Sequence, residues 1–115
     1  MMSTAPPLLL NEEQTRRLLM YMQEYRRFAL TSQSPTQERN TTLRVVQALQ
    51  GKLLALHEQP LLHVPLSLSR EEATALKIMT KSLLLFYGEQ TESPDRARTV
   101  TDLGKLYVYL KQTSA

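Results

Sequence analysis

The chain has 115 residues, 42% of them hydrophobic and 22% charged, with no cysteine and a formal net charge of +3. Those values describe one globular domain able to bury a core without staples, and they exclude disulfides, thiolate metal sites and a cysteine nucleophile. The 14 basic residues are interleaved with 11 acidic ones, so the charge keeps a small domain soluble and permits contact with nucleic acid without arguing for it.

Met1 to Leu10 carries no basic n-region and only a short apolar run, so it does not read as a signal peptide. No apolar stretch reaches bilayer length. The expectation is a soluble, cytoplasmic protein.

The first helix is predicted from Glu12 to about Leu30. Asn11 caps it and Gln14 closes a capping box. Glu12 and Glu13 face the positive end of the helix dipole, each with an arginine four residues on, Arg16 and Arg17. Leu18, Tyr21, Met22, Tyr25, Phe28 and Ala29 form its apolar stripe. A polar loop, Thr31-Ser32-Gln33-Ser34, follows.

Ser34 is expected to cap the second helix, with Pro35 at its first position, and the helix to run to about His57. Leu43, Val46, Leu49, Leu53 and Leu56 step by three and four. Gly51 lies inside it and implies either a close helix crossing or a local end.

Glu58 to Leu68 reads as an extended crossover, because Pro60 and Pro65 push their predecessors out of helical geometry. It is too apolar for a floppy linker and is expected to lie against the core. Pro7-Leu8-Leu9-Leu10 occupies the same place before the first helix, and the two segments are candidates to pair as a short ribbon.

The third helix begins after Ser69, with Glu72 closing a second capping box, and stops at Gly88. Leu76, Met79, Leu83 and Phe86 make its inner stripe, and Ile78, Leu84, Leu85 and Tyr87 widen it nearly all round. The fourth, capped by Ser93 with Pro94 at its first position, runs to about Gln112. Ala97, Val100, Leu103, Leu106, Tyr107 and Leu110 are expected to face inward.

Sliding the first half over the second at an offset of 59 aligns the helix-start signals. Eleven of fifty-six pairs are identical, among them Glu12/Glu71, Glu13/Glu72, Ser34/Ser93, Pro35/Pro94 and Arg39/Arg98. The pattern predicts an all-α, four-helix bundle built from two sequence-related helical hairpins joined by an extended crossover segment. It is one domain, with a first unit at 6–57, a linker at 58–65 and a second unit at 66–112.

No catalytic constellation emerges. Adjacent carboxylates on a helix point about 100° apart, so Glu12-Glu13 and Glu71-Glu72 serve capping rather than a dyad. His57 and His63, with Glu58, are too few for a metal site and read as a helix-end and a loop histidine. No glycine-rich phosphate loop and no nucleophile elbow are present. Ser34-Pro35 and Ser93-Pro94 fit helix caps better than modification sites. The expectation is a protein without enzymatic activity, cofactor, metal or small-molecule substrate.

The apolar excess on the third and fourth helices exceeds what one core face uses. An apolar face left outside marks a protein interface, so the chain is expected to be a helical protein–protein interaction module. It would be a homodimer or the small subunit of a larger assembly, with Leu84, Leu85, Val108 and Tyr109 as anchors. The alternative is a small basic accessory subunit that contacts nucleic-acid backbone through Arg39, Arg44, Arg96 and Arg98.

Overall fold

The computed structural model describes residues 8–32, 34–60, 62–89 and 93–113. Residues 1–7, Gln33, Leu61, 90–92 and 114–115, some of them named above, lie outside the described residues. The elements are β1 (Leu8–Leu10), α1 (Glu12–Ser32), α2 (Gln37–His57), β2 (Val64–Leu66), α3 (Arg70–Gly88) and α4 (Pro94–Thr113). They form a four-helix bundle capped at one end by an antiparallel two-stranded ribbon, with Leu8 opposite Leu66 and Leu10 opposite Val64. Leu10, Val64 and Leu66 are buried against the helices, while Leu9 and Pro65 face outward. No helix among the described residues is long and apolar enough to cross a membrane.

The helix starts follow local chemistry. Gln14 N–H donates to Asn11 Oδ1 at 2.8 Å, and Asn11 N–H donates to Gln14 Oε1 at 3.0 Å. Ser69 and Glu72 form the same reciprocal pair. Ser93 Oγ accepts from Arg96 N–H, which makes Pro94 the first helical residue, where a missing N–H costs nothing.

The second helix corrects the sequence expectation. Its cap is Thr36, not Ser34, and Pro35 lies outside the helix. The reason is tertiary. With Thr36 as cap, Arg39 becomes the third helical residue, and its Nη1 donates to Ala29 O at 3.0 Å near the end of α1. Arg96, third residue of α4, does the same to the end of α3, where its Nε donates to Tyr87 O at 2.7 Å. Each hairpin is thus tied at its turn by an arginine on last-turn carbonyls of the preceding helix, which have no partner within that helix. By position and contacts the counterpart of Arg39 is Arg96, not the Arg98 of the gapless alignment.

Two smaller corrections follow. Gly88 is not a left-handed stop: α3 includes it, no glycine has positive φ, and Glu89 ends the helix in right-handed geometry. Ala97, expected inward, is exposed.

α3 is the central helix. It packs on α4, on α2 and, less extensively, on α1. That accounts for most of its apolar excess. Leu76, Met79 and Leu83 are fully buried, Leu84 and Tyr87 pack against the core, and Phe86 meets Phe28 of α1 with ring centroids 4.9 Å apart.

Gly51 marks neither a crossing nor an end. α2 continues through it to His57, and a Cβ built there meets nothing within 4 Å; the same holds at Gly104 in α4. Gly51→Ala and Gly104→Ala are each expected to stabilise the protein by about 1 kcal/mol, because glycine in a helix costs that much in backbone entropy. Thermal melts of the single and double variants check this, with additive increases in Tm expected.

Candidate interaction surface

The four proposed interface anchors do not share one patch. Leu85 and Val108 are exposed, whereas Leu84 and Tyr109 are half-buried against the core. In the antiparallel α3–α4 hairpin Leu85 lies near the turn and Val108 near the open end. That places them about 16 Å apart along the helix axes, at 1.5 Å per residue.

The arginines are divided as well. Arg39 and Arg96 are committed to carbonyls at the hairpin turns. Arg44 and Arg98 are exposed but sit on α2 and α4, which lie on opposite sides of the contacting α1–α3 pair. His57 is half-buried and His63 exposed, and no group of three metal-ligating side chains occurs among the described residues.

Sequence reasoning missed the difference between the two long seams of the bundle. Along α2–α3 the helices pack closely, and Lys52 Nζ reaches across to Ser67 O at 3.1 Å and to Glu72 at 3.9 Å. A shallow groove of about 630 Å³ runs along this seam over Thr42, Val45, Ala75 and Ile78. The α1–α4 helices approach less closely and are bridged by side chains instead. Arg17 Nη1 pairs with Asp102 Oδ2 at 2.5 Å while its Nη2 holds Glu13 at 2.6 Å, and Tyr21 OH reaches the same Asp102 oxygen at 3.4 Å.

A cleft of about 290 Å³ opens between α1, α4 and β1. Its apolar walls are Leu8, Leu10, Leu18, Leu106 and Tyr109; Arg17, Asp102 and Lys105 line its polar side. Of the two strands only β1 contributes to its lining, through Leu8 and Leu10. Lys105 is exposed and has no ion-pair partner among the described residues. Tyr21, almost wholly buried, has its phenol pushed up to about 12, first by burial and then by the Asp102 charge, with Arg17 opposing.

A second pocket, of about 280 Å³, lies at the start of α2 beside Tyr25, Ser34, Thr36, Arg39 and Ser82. Tyr25 is fully buried and its hydroxyl has no hydrogen-bond partner among the described residues. Burial raises its pKa, Arg39 opposing and Glu38 adding. An unpaired buried hydroxyl carries its desolvation cost uncompensated. Tyr25→Phe is therefore expected to raise the unfolding free energy by about 1 kcal/mol, read as an increased denaturation midpoint.

Fold and surface together define a helical bundle with a ribbon cap, a shallow groove along α2–α3 and a smaller, partly apolar cleft between α1, α4 and β1. No protein-family model, curated protein or solved structure matches the chain.

Proposed function

We propose that the protein is a non-enzymatic helical interaction module that works in the cytoplasm, as a homodimer or as the small subunit of a larger assembly. The observation that carries this reading is the open α1–α4 seam: an apolar cleft walled by Leu8, Leu10, Leu18 and Leu106 beside a ribbon whose outer face exposes Leu9. Apolar surface of this kind gains from cover by a partner. Leu85, Val108 and Met20 add exposed apolar area elsewhere, but singly, and isolated surface apolar residues are ordinary. The cysteine-free composition agrees with a reducing compartment.

The nucleic-acid alternative has less support, because two of its four arginines are occupied at the hairpin turns and the other two are on separate sides. The test is purification of the tagged chain from its native cells at moderate salt, followed by sedimentation. A stoichiometric protein partner or a homodimer is expected. A clean monomer would overturn the reading. Bound nucleic acid that leaves steeply with salt would replace it with the alternative.

A further inference from the structure

Resting on the interaction-module reading, we propose that the cleft beside β1 is a strand-addition site. Its occupant is an extended segment of another protein, with two apolar residues at alternate positions and an acidic residue at the next position on the same face.

The backbone argument starts from Pro65. It has no N–H, so the Leu9–Pro65 pair cannot exchange hydrogen bonds. The ladder bonds of the ribbon therefore join Leu8 to Leu66 and Leu10 to Val64, and the N–H and C=O of Leu9 point away from β2. Neither has a partner among the described residues. The outer edge of β2 lacks a donor at the same level, because proline occupies it, a common way of blunting an edge. The ribbon thus offers one competent edge, at Leu9. Beyond it, Asn11 N–H is already bonded to Gln14 Oε1, so the edge is short and most of the recognition falls to side chains.

The cleft supplies that recognition. Leu8 and Leu10 line it and share the inner face of the ribbon. In a strand added to β1, the residues opposite Leu8 and Leu10 point to this same face, toward Leu18, Leu106 and Tyr109, and the residue between them faces out beside Leu9. Two apolar side chains two positions apart therefore enter the cleft while the backbone bonds Leu9. Lys105 at the rim, without an ion-pair partner among the described residues, selects an acidic neighbour.

The test uses the full chain and two end-blocked synthetic heptapeptides with valine at the third and fifth positions and threonine at the even positions, so that the first and seventh residues share the valine face; those two are glutamate in one peptide and lysine in the other. The glutamate peptide is expected to bind more tightly, to shift the Leu9 amide resonance and to slow its exchange. Leu9→Pro removes the outward N–H without touching the ladder, as Pro65 does on the other strand. It should weaken binding about tenfold or more, because the peptide carbonyl loses its donor, while Leu9→Val retains binding. Lys105→Glu should reverse the preference between the two peptides. Leu106→Glu should abolish binding; a circular-dichroism check confirms that it folds, and Leu9→Pro stands as the independent variant if it does not.

The strand-addition site is overturned if neither peptide changes Leu9 exchange, or if Leu9→Pro binds as wild type. Protection of Leu9 that rises with protein concentration alone would overturn it in favour of self-pairing. A stoichiometric native partner retained by Leu9→Pro would overturn this site and leave the interaction-module reading standing; absence of any partner from the wild-type chain would remove both.

Discussion

Replacing Leu76 with alanine is expected to lower the unfolding free energy by about 2–5 kcal/mol, the range for deleting a fully buried leucine and leaving a partly collapsed cavity. Against a total of roughly 5–15 kcal/mol for a domain, that is a large share. Leu76 is wholly buried and lies on α3, the one helix that packs on the other three. Collapse around the lost side chain has to move backbone that several interfaces hold, which favours the upper part of the range. The control is Leu85→Ala on the same helix. Leu85 is 65% exposed, so its truncation should stay within about 0.5 kcal/mol. Urea titrations with an unchanged m-value decide the matter. Equal effects at the two positions would mean that α3 is not central to the core.

The parts of this fold legible in the sequence are those decided within a few residues. Asn11, Ser69 and Ser93 each accept one free N–H at a helix start, Pro94 has no N–H to satisfy, and each sits where its local pattern puts it. The ribbon is legible for a similar reason: Pro65 holds its predecessor extended, and Val64 and Leu66 need cover and find it against the helices. The rest of the crossover bends and leaves Leu62 87% exposed, against the expectation that it would lie on the core. Where two local solutions compete, the sequence leaves the choice open. Ser34 and Thr36 are both good caps, and only the reach of Arg39 to Ala29 O, across the hairpin turn, favours Thr36. The same distance effect hides the cleft. Arg17 has an obvious partner four residues back in Glu13, and nothing local announces that its other nitrogen holds Asp102, 85 residues away.

The two seams show how similar local patterns diverge. The sixth residue of α1 is Arg17 and the sixth of α3 is Ala75; the ninth of α4 is Asp102 and the ninth of α2 is Val45. One pair of positions carries an ion pair, and the other lines an apolar groove with small side chains. Small residues let α2 and α3 approach closely over a shallow groove. A guanidinium and a carboxylate bridge α1 and α4 where their backbones approach less closely, and a pair left partly in water contributes little net stability. The smaller cleft lies on that side, next to β1, whose Leu9 has its N–H and C=O turned away from β2.

That seam also carries the clearest pH dependence expected of the protein. The Tyr21 phenol is raised from 10 to about 12, with burial the largest cause and the Asp102 charge the second. In the unfolded chain the phenol loses its proton around pH 10; in the native protein it keeps it until about 12. Between those values the native state binds more protons than the unfolded one, so stability falls as pH rises. The contribution is fully present below pH 10. A tenfold difference in proton affinity is worth about 1.4 kcal/mol, so on the order of 3 kcal/mol is lost by the time the native phenol ionises. Tyr25 and Tyr87 are raised in the same direction, also chiefly by burial, and steepen the fall. Denaturation midpoints measured across this window should decline, and Tyr21→Phe should flatten the decline, since phenylalanine keeps the ring and removes the proton. Asp102→Asn should flatten it only in part, because burial remains. An undiminished slope in Tyr21→Phe would mean that other groups set the alkaline limit.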